Sequence, residues 1–191
     1  MKKILHYALI LDQSGSMEDI KDVTISSFNE QIDSIRKLMK NNPENEVRIT
    51  FCVFNQNVDL RFVCSNIDKI VKLNKRNYNP GSLTALYDAM GITILRLQET
   101  VAPNDKIFMA VFTDGLENAS VHYNQSDISY QMEVARSKGW NIRFFCNVTD
   151  VEHFKKNLRL NKTELHGVQL NEFGVNKMQK SINSFLAKLI D

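Results

Sequence analysis

Three oxygen-bearing side chains stand at alternate positions directly after an apolar run at residues 4–11, namely those of Asp12, Ser14 and Ser16. If a strand ends there and a helix begins just after it, all three side chains point at one place. Carboxylate and hydroxyl oxygens suit a hard divalent cation, and Mg²⁺ accepts them in an octahedral set completed by water. The segment brings one negative charge, so further ligands must come from elsewhere in the chain.

Two later residues are candidates for the missing ligands. Thr84 stands at the start of a segment with helical apolar spacing, and Asp114 follows the apolar run 106–112. Each candidate also has a simpler interpretation: Ser14 and Ser16 could cap a helix, and Asp114-Gly115 is a common turn pair. The sequence favours the metal because the candidate segments each adjoin an apolar run. The predicted ligands are Asp12, Ser14, Ser16, Thr84 and Asp114.

The elements that must position these residues alternate between strand and helix character. Strands are predicted at 4–11, 47–54, 58–63, 106–112, 141–148 and 165–170. Helices are predicted at 18–39, 83–98, 126–138 and 151–158, with a final helix that carries Met178, Ile182, Phe185 and Leu189 on one face. This order favours a doubly wound α/β fold: a mostly parallel six-stranded sheet with one antiparallel edge strand and helices on both faces.

The predicted fold also predicts where a ligand binds. In doubly wound sheets, ligands lie beyond the carboxyl ends of the strands, near the point where the strand order reverses. Asp12 and Asp114 both lie just past predicted strands, and Thr84 lies where a loop enters a helix. We therefore expect the candidate residues to converge at one end of the sheet.

The candidate ligands and their flanking residues, 84–89 and 113–119, resemble the metal-ion-dependent adhesion site of von Willebrand factor A (VWA) domains of the bacterial, intracellular branch. The family pattern is an Asp-x-Ser-x-Ser loop, a later threonine and a later aspartate. The resemblance covers nearly the whole chain and implies a single VWA, Rossmann-like domain over residues 1–191. It also implies bound Mg²⁺ or Mn²⁺.

In this family, an aspartate or glutamate of a partner protein completes the coordination of the metal. The resemblance therefore implies a non-enzymatic module that binds a protein partner through a carboxylate. In the bacterial branch, such domains resemble accessory proteins of AAA+ ATPases or members of stress-response assemblies. Partner choice depends on the loops around the metal, so the partner and the oligomeric state stay open.

An enzyme of the haloacid dehalogenase type is the alternative. Such a phosphatase also uses Mg²⁺ and an aspartate after the first strand, which would make Asp12 the nucleophile. It needs a second acidic residue two positions on, and this chain has Ser14 there. Because a serine hydroxyl does not readily protonate a leaving group, the sequence favours the binding module.

Composition restricts the partner and the compartment. The 191 residues are 43% hydrophobic, and 24 basic against 22 acidic residues leave a formal charge of +2. This balance favours solvated charged faces over a nucleic-acid partner, and no apolar run is long enough to span a membrane. The first apolar run leads straight into Asp12 without a cleavage site, so it is interpreted as a strand and not as a signal peptide.

The cysteines point to a reducing compartment. Cys52, Cys64 and Cys146 all lie in apolar strand-like runs, which is typical of buried, reduced thiols. A hairpin between the second and third predicted strands would place Cys52 opposite Asp59 or Leu60 and not opposite Cys64. We therefore expect free thiols and a cytoplasmic location.

Overall fold

The computed structural model describes residues 3–190; Met1 and Lys2, at the start of the segment compared above with a signal peptide, and Asp191 lie outside the described residues. Within residues 3–190 the sheet has six strands: β1 (Lys3–Asp12), β2 (Asn45–Phe54), β3 (Val58–Asn66), β4 (Lys106–Phe112), β5 (Asn141–Asn147) and β6 (Leu165–Val168). The α-helices are α1 (Lys21–Asn41), α2 (Leu86–Thr100), α3 (Gln125–Ser137), α4 (Val151–Asn157) and α5 (Glu172–Ile190). Short 3₁₀ turns cover Gly15–Ile20, Ile67–Lys69 and Val148–Asp150.

The sheet has the predicted topology. Its strand order is β3-β2-β1-β4-β5-β6, with β3 antiparallel to β2 and every other neighbouring pair parallel. The chain winds outward from β1 in one direction and from β4 in the other, so the order reverses between these two central strands. The doubly wound α/β prediction, with one antiparallel edge strand, is confirmed.

Helices cover both faces because the central strands are apolar on both faces. On β1, Leu9 and Leu11 face the core under α1 and α5, whereas Ala8 and Ile10 face the core under α2, α3 and α4. This alternation follows from the two-residue period of a strand. No helix within residues 3–190 is long and apolar enough to cross a membrane.

Two predicted helix starts are wrong, and both lie beside the candidate site. The segment predicted as the start of helix 18–39 is instead a 3₁₀ turn, and α1 begins at Lys21. Helix α2 begins at Leu86 and not at residue 83, so Thr84 stays in the loop. At α2 the cause is tertiary hydrogen bonding: the Thr84 N–H donates to the Asn118 side chain at 2.8 Å, and the Ala85 N–H donates to the Asn55 carbonyl at 2.7 Å.

The buried face of α5 is offset from the predicted stripe. Its buried positions include Val175, Gln179, Ile182 and Leu186. Gln179, which is outside the predicted stripe, is only 7% exposed. Phe185 lies at the edge of this face, where its ring packs on Phe108 at 5.0 Å and under the Arg143 guanidinium at 4.3 Å. These aromatic and cationic neighbours hold Phe185 at the edge of the buried face, and the spacing of apolar residues in the helix does not encode such contacts.

The three cysteines are free thiols. Cys52 pairs with Leu60 across the β2–β3 hairpin, as the hairpin register predicts. Cys52 and Cys146 are buried, whereas Cys64 is half-buried and lies in the left-handed region with φ 44°.

Candidate metal centre

The candidate site lies where the strand order reverses. Asp12 is the last residue of β1, and Asp114 follows the end of β4 by two residues. The two strands pair in parallel up to Leu11 and Phe112, so their carboxyl ends lie side by side. The sheet therefore places the two candidate carboxylates at the same crevice, as expected for a ligand site in this architecture.

The Asp12–Ser16 loop is fixed by its neighbours. The Ser14 N–H donates to Asp12 Oδ1 at 2.6 Å, and the Tyr78 hydroxyl donates to the Asp12 carbonyl at 2.7 Å. The Gly15 N–H donates to the carbonyl of Ser82 at 3.0 Å, and Ser82 has φ 70°, a conformation that non-glycine residues seldom adopt. Ser14 makes no side-chain capping bond, so the capping interpretation of this serine fails.

Asp12 forms the floor of the site. Its side chain is fully buried, and its second oxygen accepts a hydrogen bond from the Thr113 hydroxyl at 2.5 Å. Burial raises the pKa of Asp12 from 3.8 to about 6, although the hydrogen bonds from Thr113 and Ser14 act in the opposite direction. The floor therefore carries a carboxylate that costs free energy to ionise in the absence of a cation.

The remaining candidates converge above Asp12. The Ser16 hydroxyl donates to Asp114 Oδ1 at 2.6 Å and lies 3.3 Å from the Ser14 hydroxyl. A Cβ placed on Gly115 would lie 3.3 Å from Thr84 Oγ1, 3.4 Å from Ser16 Oγ and 3.8 Å from Ser14 Oγ. Three hydroxyl oxygens thus surround one small space that only a glycine leaves open. The structure brings all five predicted residues together.

These residues fit a hard divalent cation. The set offers two carboxylates and three hydroxyls, and hard cations such as Mg²⁺ and Mn²⁺ prefer oxygen donors. No group of three or more His, Cys, Asp or Glu side chains suited to a metal occurs among residues 3–190. A cation at this site would therefore depend on the hydroxyl oxygens of Ser14, Ser16 and Thr84.

The surroundings of Asp114 are acidic. Burial raises the pKa of Asp114, the Ser16 hydroxyl opposes that shift, and the carboxylates of Asp150 and Asp19 raise it further. Asp19 lies in the turn after Ser16, and Asp150 ends the turn that follows β5. The rim of the site therefore has an excess of negative charge.

Sequence reasoning missed how the loop after β4 is held. Asn118 bonds Thr84 twice, because its N–H also donates to the Thr84 carbonyl at 3.0 Å. Glu117 accepts the Tyr87 N–H at 2.9 Å. In the sequence, Asn118 and Glu117 stand out only as residues that flank Asp114 in the VWA-like segment 113–119, and nothing there indicates these contacts. Together they join the Thr84 loop to the Asp114 loop.

Asp88, one helical turn after Thr84, holds the loop that follows β4. It is neither solvated nor bonded to a candidate ligand: it is 4% exposed and accepts the backbone N–H groups of Val121, His122 and Tyr123 at 2.8–2.9 Å. Three such bonds to one carboxylate hold the end of the Asp114 loop against α2. The role could not be read from sequence, since the donors are backbone groups more than 30 residues away.

Gly91 supplies a second anchor for this loop, and its replacement tests the anchoring. A Cβ on Gly91 would lie 2.6 Å from the ring of Tyr123, whose backbone is held by Asp88. We expect Gly91→Ala to lower the free energy of unfolding by about 1–3 kcal/mol, the usual cost of overpacking. Urea denaturation measures this, and amide exchange at Val121–Tyr123 should accelerate. Gly81→Ala is the control, because a Cβ there meets nothing within 4 Å; equal effects of the two variants would contradict the anchor.

Comparison with known proteins supports the fold. The sequence matches no protein-family model and no curated protein. The structure is similar to the PilB minor pilin from Streptococcus sanguinis (TM-score 0.71, 14% identity, over 100% of this chain and 63% of that chain). It is also similar to the vWF domain of the type V pili tip protein Mfa5 from Porphyromonas gingivalis (TM-score 0.65, 11% identity, 97% of each chain). A third is proximal thread matrix protein 1 from the mussel byssus, with a zinc-occupied MIDAS motif (TM-score 0.60, 12% identity, 97% and 46%).

At these identities the similarity defines the class of fold. The sheet with its switch-point site is a doubly wound α/β domain, and within that class it is a VWA-like fold. The chain spans less than two thirds of the PilB and mussel chains.

Proposed function

We propose that this domain is a non-enzymatic protein-binding module that holds Mg²⁺ or Mn²⁺ and captures a carboxylate of its partner. The observation that carries the proposal is the space beside Gly115, around which three hydroxyl oxygens converge next to Asp114 and above Asp12. When bound, the cation supplies a positive centre with a position open to an incoming carboxylate. Asp12, Ser14, Ser16, Thr84 and Asp114 would hold it.

The neighbouring proteins support this proposal without identifying the partner. One has a MIDAS motif occupied by zinc, which agrees with a divalent cation at the corresponding fold position. Others are a minor pilin and a pilus tip protein, whose assemblies depend on contacts between proteins. The AAA+ or stress-response context stays a prediction. So does the cytoplasmic location, which the free cysteines favour and the pilus neighbours do not.

The surroundings of Asp12 disfavour the phosphatase alternative. Both carboxylate oxygens accept hydrogen bonds, from the Ser14 N–H and the Thr113 hydroxyl, and the side chain is fully buried. Each oxygen keeps a second lone pair that a small cation can use, but a phosphate ester is too bulky to reach a side chain that is closed to solvent. The residue two positions on, Ser14, points its hydroxyl at Ser16 and offers no general acid.

The experiment that tests the proposal is a calorimetric titration of Mg²⁺ and Mn²⁺ into the wild type and Thr84→Val. Valine keeps the shape of threonine and removes one oxygen, so we expect the affinity to fall by about tenfold or more. Thr100→Val is the matched control at the exposed, far end of α2. Failure of the wild type to bind either cation, or equal affinities for the wild type and Thr84→Val, would refute the metal site.

A pull-down tests the second half of the proposal. Wild type and Asp12→Ala are compared as baits, each with Mg²⁺ and with chelator. A partner that is retained only by the wild type with Mg²⁺ is the expected result. Retention that ignores both the metal and the substitution would contradict capture through the candidate site.

A further inference from the structure

The rim of the candidate metal centre has unpaired negative charge. Asp19 and Asp150 lie within the described residues without a Lys, Arg or His nitrogen within 4 Å. Asp19 lies in the turn that begins beside Ser16, and Asp150 lies in the turn beyond the carboxyl end of β5, the strand that pairs with β4. Two basic side chains of the region are already engaged: Lys21 by Glu18 at 3.6 Å and Arg61 by a neighbouring carboxylate at 2.8 Å.

The charge balance at the site is unfavourable for a simple carboxylate ligand. A divalent cation cancels the charges of Asp12 and Asp114 and no more. A partner carboxylate would then add a third negative charge beside those of Asp19 and Asp150. Like charges brought together at an interface disfavour association, whereas a complementary charge selects the partner. A positive group close to the partner's carboxylate would offset this repulsion.

Apolar side chains complete the rim. Leu83 directly precedes Thr84 and is 51% exposed, and Leu116 follows Asp114 by two residues and is 42% exposed. Val148, at the carboxyl end of β5, is 50% exposed. Exposed apolar residues that surround a polar centre are typical of a protein interface, in which an apolar contact excludes water from the polar one.

We propose, on the basis of the function proposed above, that the partner segment carries a lysine or arginine beside its carboxylate, followed by an apolar residue. Asp19 and Asp150 select the basic group, and Leu83 and Leu116 contact the apolar one. The occupant is thus an extended protein segment of the type basic–acidic–apolar, and not a generic acidic surface.

Fluorescence polarisation with four labelled peptides tests the proposal. The peptides have the cores Lys-Glu-Leu, Gln-Glu-Leu, Lys-Gln-Leu and Gln-Gln-Leu between identical neutral ends, and each is measured with excess Mg²⁺ and with chelator. We expect Lys-Glu-Leu to bind about fivefold to twentyfold tighter than Gln-Glu-Leu at low salt, the size of one or two exposed charge pairs. The preference should shrink at high salt, because the pairs are exposed.

Variants of the protein assign the preference to the rim. The double variant Asp19→Asn, Asp150→Asn should bind Lys-Glu-Leu and Gln-Glu-Leu equally while it keeps its Mg²⁺ dependence. Asp68→Asn is the matched control, because Asp68 is an exposed aspartate in the 3₁₀ turn at the opposite end of the sheet. It should keep the wild-type preference.

The outcomes separate this proposal from the metal-dependent function. Equal, Mg²⁺-dependent binding of Lys-Glu-Leu and Gln-Glu-Leu would overturn the basic subsite alone. A preference that survives in the double variant would also overturn it, as would equally tight binding of Lys-Gln-Leu, which would reveal mere attraction to an acidic surface. If no peptide binds in a Mg²⁺-dependent manner, both the capture of carboxylates and the basic subsite are wrong.

Discussion

The Asp12→Asn variant is expected to be more stable than the wild type at neutral pH when divalent cations are chelated. Asparagine can keep every hydrogen bond of the site floor. Its oxygen accepts the Ser14 N–H, and its amide donates to the Thr113 hydroxyl, which can then donate to the Gly115 carbonyl 3.0 Å away. The substitution therefore removes the buried charge and leaves the local geometry in place.

The direction of the effect follows from the pKa of Asp12. Burial raises it from 3.8 to about 6, so the folded state binds more protons than the unfolded state between these two values. The free energy of unfolding of the wild type therefore falls as the pH rises from about 4 to about 6, and the loss persists above. A shift of this size corresponds to about 3 kcal/mol.

Chemical denaturation between pH 4 and pH 8 in the presence of chelator measures the difference. The two proteins should differ least near pH 4, where Asp12 is protonated in the folded state, and should diverge by up to about 3 kcal/mol at pH 7. Asp114 is present in both proteins, so only its coupling to Asp12, the smallest cause of the Asp12 shift, enters the difference. Asp68→Asn, which removes an exposed aspartate at the far end of the sheet, should show no such divergence. A less stable Asp12→Asn protein at pH 7 would contradict the prediction.

Saturating Mg²⁺ should reduce the difference in stability between Asp12→Asn and the wild type. A ligand present at about 100 times its Kd stabilises the folded wild type by about 2.7 kcal/mol, whereas the variant lacks a charged ligand and should gain little. Asp12 would thus lower the stability of the metal-free domain and raise its affinity for the cation. Buried charges that lower stability are common at functional sites for this reason.

The sheet and the meeting of the candidate residues could be predicted from sequence because both depend on local signals. The apolar run before Asp12 and the one before Asp114 identify two parallel strands, and parallel strands end at the same edge. The details that hold the site could not be predicted in this way. Tyr78 bonds the Asp12 carbonyl, and Asn118 bonds the Thr84 backbone, across separations of 66 and 34 residues. No periodicity or spacing encodes such contacts.

The error at the start of α2 has the same origin. A helix pattern extends over residues 83–85, but the backbone of Thr84 and Ala85 is bonded to Asn118 and Asn55. These tertiary bonds outweigh the helix propensity, which is worth less than about 1 kcal/mol per residue. Thr84 therefore faces the site from a loop. The candidate ligand Thr84 is thus found where the backbone departs from the helical pattern of the sequence.

The Gly115→Ala variant is expected to fold normally and to lose cation binding while keeping all five candidate ligands. Gly115 does not have a positive φ, so an alanine is compatible with its backbone. The added Cβ would lie between the hydroxyls, 3.3 Å from Thr84 Oγ1 and 3.4 Å from Ser16 Oγ. Ser16 is exposed and can yield by a few tenths of an ångström, so the stability of the empty protein should fall by at most about 1 kcal/mol.

A methyl group there leaves the charge and the five ligand residues in the chain, but it occupies the cation's position or shifts the Ser16 hydroxyl out of it. We expect the affinity for Mg²⁺ and Mn²⁺ to fall by about 100-fold or more, beyond the effect of removing one supporting contact. Calorimetric titration measures this, with Gly81→Ala as the control. Gly81 also lies beside the Asp12–Ser16 loop, donating to the Gln13 carbonyl, but a Cβ there meets no atom within 4 Å.

The result would locate the cation as well as detect it. Loss of binding in Asp12→Asn alone could follow from the missing charge anywhere near the floor of the site. Loss in Gly115→Ala, which has the full charge, would show that the cation depends on the hydroxyls of Thr84, Ser16 and Ser14. Unchanged affinity of Gly115→Ala would place any bound cation elsewhere, and the proposed ligand set would then be wrong even if the domain binds Mg²⁺.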